Sequence, residues 1–423
     1  MQLKTTFRYF WIVIVGLGLF ACKSTQPWKG QAPIVTVPTT TLPIQKQYKG
    51  TFDLGEGIYC SNEFEGARLN GVVLTNDTLV TALVTPENTP INPSPWYAFK
   101  VWATKEQNLQ LRISYLAGTR HRYYPKLSKD GRNWAAVKSE NYVKGVVDPE
   151  NNSRELPRDI SIKLRVGPDT LWVAAQELET STHVKAWIDQ LDDLPYVSST
   201  SIGQSREGRP IQSLRIGAGN DQKMLMVISR QHPPEVTGYL AMKAFIETIC
   251  SEEEVAKVFR KTYTTYVVPL ANPDGVDNGH WRHSSAGIDL NRDWMNVNQP
   301  EVAAIQQFMK DKSAAGGKFY FAVDFHSTWE DIYYTINPEL EGNMPGLVPK
   351  MITEMGKEFT DYEPNIRPST DKIKTSPTSS SFFFFEMGAE SLTYEFGDNT
   401  PRKRLREKGA ISAMKLMELM LDH

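Results

Sequence analysis

Between about residue 50 and residue 175, apolar and polar side chains alternate in short runs that are rich in β-branched and aromatic residues. Alternation with a period of two predicts strands that bury one face. Turn formers such as Asn76-Asp77 and Asp130-Gly131 separate the runs, so we expect an antiparallel β-sandwich. Its tryptophans suit the sandwich core and sheet surface, or alternatively a carbohydrate platform. The predicted strands are 71–74, 79–84, 96–102, 109–115, 134–137, 160–166 and 171–175.

The pattern changes after an amphipathic segment at 181–191, which is predicted to be a linking helix. Apolar runs at 224–228, 263–270, 319–325 and 392–396 alternate with helical stretches at 237–250, 300–311, 347–359 and 404–421. Strands that alternate with helices predict an α/β domain with a mostly parallel, mixed sheet flanked by helices. Ligands of such sheets collect at the carboxyl ends of the strands.

The N-terminus has the layout of an export signal. Lys4 and Arg8 precede an apolar run at 10–20 that is too short to span a bilayer comfortably. The run ends in Leu19-Phe20-Ala21-Cys22, which resembles a bacterial lipobox, so we expect Cys22 to carry acyl chains that anchor the protein at the cell envelope. A plain signal peptide or a single anchor helix with an incidental Cys22 is the alternative. Residues 23–46 are polar and proline-spaced, which predicts a flexible tether.

Length and composition complete the outline. A chain of 423 residues exceeds one typical core. We predict a signal peptide at 1–22, a tether at 23–46, a β-sandwich at 47–176, a linker helix at 177–195 and a second domain at 196–423. Lys+Arg 47 against Asp+Glu 49 leaves no bulk charge for a polyanion, so no nucleic-acid partner is expected. Cys60 and Cys250 fall in different predicted domains, which suits buried free thiols at least as well as a disulfide.

A metal-binding corner is predicted where the apolar run 224–228 meets the helical stretch 237–250. Two prolines separate His232 from Glu235 and allow a helix to begin only after them. An imidazole and a carboxylate are two of the three protein ligands that a hydrolytic zinc site uses. His326 follows another predicted strand, and we expect it to be the third. Asp324, two residues earlier, is a candidate to orient that histidine.

Two further groups fall at predicted strand ends. Glu395 interrupts the apolar run 392–396, so it faces either a cleft or a structural partner such as Arg402 or Arg404. In a cleft it would accept a proton from the attacking water and pass it to a leaving amine.

Arg282 and the pair Asn291-Arg292 follow the turn at 272–275, and a guanidinium and an amide can fork onto a carboxylate. The alternative is that Arg292 pairs with Asp289 or Asp293 on a solvated turn.

Together these motifs carry a resemblance. The ordered series His232-Pro-Pro-Glu235, Asn272-Pro-Asp-Gly275, Arg282, Gly287-Ile-Asp-Leu-Asn-Arg292, His326 and Glu395 resembles that of the zinc metallocarboxypeptidases, the carboxypeptidase A-like family. The β-rich region before it is similar to the N-terminal domain of the cytosolic carboxypeptidase subfamily.

The resemblance implies one zinc ion per chain, held by His232, Glu235 and His326, with Glu395 as general base and then acid. It implies that Arg282 polarises the scissile carbonyl and that Asn291 and Arg292 grip the substrate's terminal carboxylate. The family's substrate-closing tyrosine has no clear counterpart, because the serine and phenylalanine run 379–385 occupies the expected stretch.

These features predict an exported, lipid-anchored zinc carboxypeptidase that acts on peptides with a free C-terminal carboxylate. The substrate would be a nutritional peptide or a peptidoglycan stem peptide. A zinc deacylase of N-acyl amino acids and a non-catalytic cell-envelope binding protein are the alternatives, and a glycan-binding role for the β-sandwich is a third possibility.

Overall fold

A computed structural model describes residues 37–147, 154–360 and 362–423. Two sheets form the first part of the described chain. In chain order the strands are β1 (Thr51–Asp53), β2 (Ile58–Ser61), β3 (Gly71–Asn76), β4 (Leu79–Val84), β5 (Ala98–Ala103), β6 (Gln107–Tyr115), β7 (Lys126–Ser128), β8 (Ala135–Ala136), β9 (Tyr142–Lys144), β10 (Ile160–Val166) and β11 (Leu171–Ala174), with a 3-10 turn at Ser139–Asn141.

The two sheets face each other as a β-sandwich. One has the order β1-β2-β5-β11-β7-β8 and the other β3-β4-β6-β10-β9. Alternate residues point inward, so Val101 of the first sheet and Leu111 and Ile162 of the second share one buried core. The predicted sandwich is confirmed, although β4 pairs with β6 in parallel. Trp96 is buried, whereas Trp102, Trp134 and Trp172 are half buried.

The second part of the chain surrounds a larger sheet. Its strands are β12 (Val197–Gln204), β13 (Pro210–Ile216), β14 (Lys223–Ser229), β15 (Thr264–Val268), β16 (Lys318–Thr328), β17 (Ile332–Thr335), β18 (Ile366–Pro368) and β19 (Glu390–Gly397). The helices are α1 (Ser181–Asp192), α2 (Val236–Ile249), α3 (Glu254–Thr262), α4 (Pro273–Asp277), α5 (Pro300–Ala314), α6 (Leu347–Lys357), α7 (Ser379–Phe385) and α8 (Arg402–Leu421), with a 3-10 turn at Leu290–Arg292.

This sheet has the order β12-β13-β15-β14-β16-β19-β17-β18. The central strands β15, β14, β16 and β19 are parallel, whereas β13 joins β15, and β17 joins β19, in antiparallel pairs. The predicted mixed sheet flanked by helices is therefore confirmed. Sequence reasoning missed the β12–β13 hairpin because the serine- and threonine-rich β12 lacks an apolar run.

Helices cover both faces of the sheet, which explains its apolar runs. On β14, Leu225 and Val227 pack into one core with α2, α6 and α8, whereas Met226 and Ile228 pack into another core on the side of α5 and α7. Because both faces of the sheet are buried, the polar site residues lie at the carboxyl ends of the strands.

The end of the predicted tether lies along the folded body. Leu42 donates its backbone N–H to Ala286 at 2.8 Å, Gln45 donates to Glu87 at 2.6 Å, and the Thr39 carbonyl accepts from Gln299. Residues 37–46 thus differ from a free linker. The predicted signal peptide, Cys22 and residues 23–36 lie outside the described residues. Within the described ranges, no helix combines the length and apolar character needed to cross a bilayer.

The two described cysteines are unpaired. Cys60 lies in the sandwich core and Cys250 at the end of α2, and both are buried. Burial raises the pKa of each thiol to about 12. Both thiols are therefore protonated and poorly reactive at neutral pH.

Candidate active site

The corner between β14 and α2 places two of the predicted metal ligands. Arg230 adopts a left-handed backbone conformation, with φ of 57°, just after the strand ends. Its guanidinium donates to the Pro233 carbonyl at 2.6 Å, which braces the turn. Glu235 then stands at the N-terminal boundary of α2, so that His232 and Glu235 face the same point.

The third ligand comes from β16. His326 lies near the carboxyl end of this strand, which is adjacent to β14. Gly238, in the first turn of α2, passes so close that a Cβ there would lie 2.4 Å from the His326 carbonyl. The Ser327 hydroxyl also accepts from the Gly238 amide and from Thr237, both at 2.8 Å. These contacts fix α2 and β16 relative to each other, and so fix the ligand spacing.

His232, Glu235 and His326 are buried, and their ligand atoms lie within 4.8 Å of one another. The two Glu235 oxygens lie 2.8 Å from Nδ1 of His232 and 2.6 Å from Nδ1 of His326. Metal–ligand bonds of about 2 Å put the ligands of a tetrahedral zinc about 3.3 Å apart. Two imidazoles converging on one carboxylate fit that requirement, so the donor set suits zinc.

Two carboxylates orient the histidines through their other ring nitrogens. Asp289 lies 2.9 Å from Nε2 of His232, and Asp324 lies 2.7 Å from Nε2 of His326. Such partners fix the ring and the tautomer of a metal-binding histidine. Asp324 was predicted for this position, whereas Asp289 was considered only as a turn partner of Arg292. The position of Asp289 in the motif between Gly287 and Arg292 was the signal that could have identified this role.

Neighbouring histidine and arginine side chains compensate the charges of the buried carboxylates at the site. Burial alone would raise the pKa of Glu235, but His232 and His326 hold it well below its usual value. Burial would likewise raise the pKa of Asp289, yet Arg282 and His232 hold it well below the ordinary range. Both carboxylates are therefore ionised in a buried site, as metal ligation and histidine orientation require.

Glu395 lies beside this cluster. It is the register partner of His326 on the neighbouring strand β19, and it lines the same cleft. Its Oε2 is buried without a hydrogen-bond partner. Arg402 instead pairs with Glu177, and Arg404 lies near Glu407, so the structure does not show the alternative ion pairs. Burial, followed by repulsion from Glu235, raises the pKa of Glu395 to about 7.

Arg282, Asn291 and Arg292 line the cleft from the loop between α4 and α5. Arg282 donates Nε–H to Asp289 at 2.7 Å, while Arg292 donates to the Asn291 carbonyl at 2.8 Å. Asn291 accepts from the Ser379 amide at 2.9 Å. Asp293 caps the amides of residues 298 and 299. Two guanidiniums and an amide therefore stand at one side of the metal ligands.

The β-sandwich also reaches the cleft, which sequence reasoning missed. Arg122 lines it and forms a two-point ion pair with Asp398, its Nε lying 2.7 Å from Oδ2. It also donates to the Ser327 carbonyl at 3.2 Å, next to the ligand His326. Asn92 lines the cleft from another sandwich loop. No local motif marks these residues, because only the contact between the domains brings them there.

The cleft has a volume of about 310 Å³ and a mainly hydroxyl-bearing far wall. The phenylalanine run divides: Phe382 and Phe383 pack against Trp294 in the core, while Phe385 lines the cleft. Tyr394 points away, with its hydroxyl 2.9 Å from that of Tyr333. A different tyrosine, Tyr334 of β17, lines the cleft.

Comparisons with solved structures match this architecture. A metallo-carboxypeptidase from Burkholderia cenocepacia superposes with a TM-score of 0.68 at 19% identity, over 86% of this chain and 99% of that one. A metallo-carboxypeptidase from Pseudomonas aeruginosa, solved with (2-guanidinoethylmercapto)succinic acid, gives a TM-score of 0.69 at 19% identity, with the same coverage. At this identity the likeness shows a shared fold.

Sequence relatives include mouse cytosolic carboxypeptidase 6, which is 26% identical over 198 residues, covering 43% of this chain and 37% of that protein. An uncharacterized Zymomonas mobilis protein is 27% identical over 241 residues, covering 55% of this chain and 58% of that protein. The chain thus matches less than two thirds of the length of either relative. The profile described as zinc carboxypeptidase matches residues 184–400, which is more than half of the chain. The chain belongs to the zinc carboxypeptidase family.

Proposed function

We propose that this protein is a zinc-dependent carboxypeptidase that hydrolyses the C-terminal peptide bond of peptides. The observation that carries the proposal is the grouping, in one cleft, of His232, Glu235 and His326 with Glu395 and with a cationic wall that contains Arg282 and Arg292. Family membership supports it. We assign zinc binding to those three residues.

When bound, zinc would lower the pKa of its water towards neutrality and polarise the scissile carbonyl. Glu395 has an unpartnered buried oxygen, and burial raises its pKa to about 7, so it is suited to take a proton from the attacking water and to return it to the leaving amine. Arg282, held by Asp289, would donate N–H groups to the carbonyl oxygen as negative charge develops there.

The C-terminal carboxylate would bind at Asn291 and Arg292. Arg292 is half-buried in the cleft wall. Burial lowers its pKa, and the nearby Asp289 carboxylate opposes that shift. A partly buried guanidinium beside an amide gains most from an anionic ligand. This wall would select substrates with a free carboxylate over amidated ones and over N-acyl amides that place no carboxylate there.

We also propose that the C-terminal residue carries a polar side chain. Apart from the metal ligands, Glu395 and the arginines, the cleft is lined mainly by hydroxyls and one further carboxylate, with Phe385 and Tyr334 as aromatic contacts; these polar residues are Ser369, Asp371, Thr375, Ser376, Ser380 and Ser381. A peptidoglycan stem peptide or a nutritional peptide would meet this chemistry when its C-terminal side chain is polar.

A peptide library with randomised C-termini would test the function. Mass spectrometry should show loss of single C-terminal residues, abolished by a chelator and restored by zinc. Amidated copies should resist hydrolysis, and purified stem peptides and N-acyl amino acids belong in the same assay. Cleavage of N-acyl amino acids alone would support the deacylase alternative. Bound zinc without any turnover would support a binding protein instead.

We further propose that the protein is exported and anchored at a membrane of the cell envelope through acyl chains on Cys22. The support is the charged start, the apolar run and the lipobox-like end of residues 1–22. In a bacterial host fed a clickable fatty acid, the wild-type chain should be labelled and Cys22→Ala should not. An unlabelled wild-type protein would refute the anchor.

A further inference from the structure

A buried carboxylate of the β-sandwich contacts the loop that contains Arg282. Glu87, between β4 and β5, is fully buried. Its Oε2 accepts the backbone N–H of Trp281 at 2.7 Å, and its Oε1 accepts those of Arg282 at 3.1 Å and His283 at 2.7 Å. Three consecutive amides therefore converge on one side chain from the other domain.

Neighbouring contacts also join the loop at residues 281–287 to the β-sandwich. Asn88 donates to the Gly287 carbonyl at 3.0 Å, and its Oδ1 lies 2.6 Å from Nδ1 of His283. Gly287 has φ of 74°, and a Cβ there would lie 2.5 Å from the Asn88 amide nitrogen. Trp281 packs into the sandwich core and donates Nε1–H to Trp96 at 3.0 Å. The loop is therefore anchored in the sandwich.

The carboxylate that receives these amides is charged. Burial alone would raise the pKa of Glu87, but His280, His283 and Arg68, together with the Trp281 amide, hold it below its usual value. Hydrogen bonds to an ionised acceptor are about twice as strong as neutral ones. A glutamine at this position would present one acceptor and one donor to three N–H groups, so at least one amide would lose its partner.

The remaining contacts lead to the cleft. Glu87 accepts a hydrogen bond from the backbone N–H of Arg282. Asp289 accepts one from the Nε–H of Arg282 and also orients His232. With both ends fixed, Arg282 lines the cleft that the ligands share.

We propose that Glu87 is a positioning residue for the reaction, which holds Arg282 at the distance and angle required to stabilise the developing oxyanion. The proposal rests on the proposed carboxypeptidase function. It assigns the β-sandwich a positioning role in catalysis, because the sandwich supplies the support for one wall of the active site. A displacement of about 1 Å at such a group can cost about 100-fold in rate.

The test is a double-mutant cycle between Glu87→Gln and Arg282→Ala in the full chain, with zinc content measured for each protein. Glu87→Gln should lower kcat by about 10- to 100-fold and change KM by less than about threefold, since the interaction is made in the transition state. In the Arg282→Ala background the same change should have no further effect on kcat. Equal losses of kcat in both backgrounds would overturn the proposal.

Glu177→Gln is the matched control. Glu177 is also a mostly buried carboxylate that joins the two domains, pairing with Arg402 at 2.8 Å, but it contacts neither the 281–283 loop nor a predicted ligand. It should leave kcat within about twofold of the wild type. A loss as large as that of Glu87→Gln would assign both effects to loosened domain contact. Glu87→Asp keeps the charge on a shorter side chain, and it enters the same cycle if Glu87→Gln does not fold.

Hydrogen exchange separates this proposal from the proposed function. In Glu87→Gln, peptides covering residues 279–288 should exchange faster than in the wild type, whereas β14 and β16 should be unchanged. Unchanged exchange at 279–288 would refute the support that Glu87 gives. A wild-type protein that hydrolyses no peptide would refute the proposed function, and the exchange result would still decide whether Glu87 holds the loop.

Discussion

Replacing Asp289 by asparagine should weaken zinc binding and catalysis together. The Asp289 carboxylate lies 2.9 Å from Nε2 of His232, accepts from Arg282 at 2.7 Å and accepts the Asn291 amide at 2.9 Å. If His232 binds zinc through the Nδ1 that faces Glu235, its Nε2 carries a proton and is a donor. All three neighbours then donate, and a carboxylate can only accept.

An asparagine has one acceptor oxygen and an NH₂ group that can only donate. Turned one way, its NH₂ faces Arg282; turned the other way, it faces His232. Either orientation leaves a buried donor unpaired, which costs about 1–3 kcal/mol. We therefore expect the zinc Kd to rise by about 10- to 100-fold, in the range found when the partner of a metal-binding histidine is lost. At saturating zinc, kcat/KM should still fall at least about tenfold, because Arg282 loses its orientation.

Zinc affinity would be measured by competition with a chromophoric chelator, and kcat/KM on a peptide that the wild type cleaves. Asp293→Asn is the control: this buried carboxylate caps the amides of Asn298 and Gln299 at 3.0 and 2.7 Å. It should lower stability by about 1 kcal/mol without changing the zinc Kd. A zinc Kd of Asp289→Asn within about twofold of the wild type would refute the reasoning.

Three further changes test other parts of the site and fold. Glu395→Gln should keep zinc bound and lower kcat by about 100-fold or more; near-normal kcat in a zinc-loaded protein would exclude it as the general base. Arg292→Ala should raise KM for peptides with a free C-terminal carboxylate far more than for any residual cleavage of amidated copies, and equal effects would mean that the carboxylate binds elsewhere. Burial raises the pKa of Glu301 to about 7, so the folded state holds this proton longer than the unfolded chain and loses stability as the pH rises from about 4.5 to 7. Glu301→Gln should therefore raise the unfolding free energy by about 2 kcal/mol at pH 8 but not at pH 4.5, as urea unfolding at the two pH values would show; a gain that is equal at both would contradict this.

The sequence predicted the elements whose apolar pattern is strong. The strands at 79–84 and 160–166 have the predicted bounds, and the runs at 224–228 and 319–325 lie inside β14 and β16. It missed β12, β17 and β18 because short or polar strands at or next to a sheet edge carry no distinctive periodicity. The helical turn of α7 was also missed, since a run of serine and phenylalanine has no helical period.

Local sequence also predicted where polar groups would meet. A buried parallel strand can present reactive side chains to a ligand only at its carboxyl end. His232, His326 and Glu395 were therefore expected at the same end of the sheet, and β14, β16 and β19 are indeed neighbouring strands. The two prolines between His232 and Glu235 further required a corner rather than a continuous helix. These conclusions needed no knowledge of the rest of the chain.

The tertiary structure alone decided the surroundings of those groups. Arg122 lies 273 residues from Glu395, and Glu87 lies 239 residues from His326 along the numbered chain, and no local pattern links such distant positions. The roles of Arg122 and Glu87 depend on how the sandwich packs against the larger sheet, because that packing buries Glu87 and thereby makes its three amide contacts strong. Residue order thus determined which groups could bind zinc and move a proton, whereas the tertiary structure decided how those groups are oriented and charged.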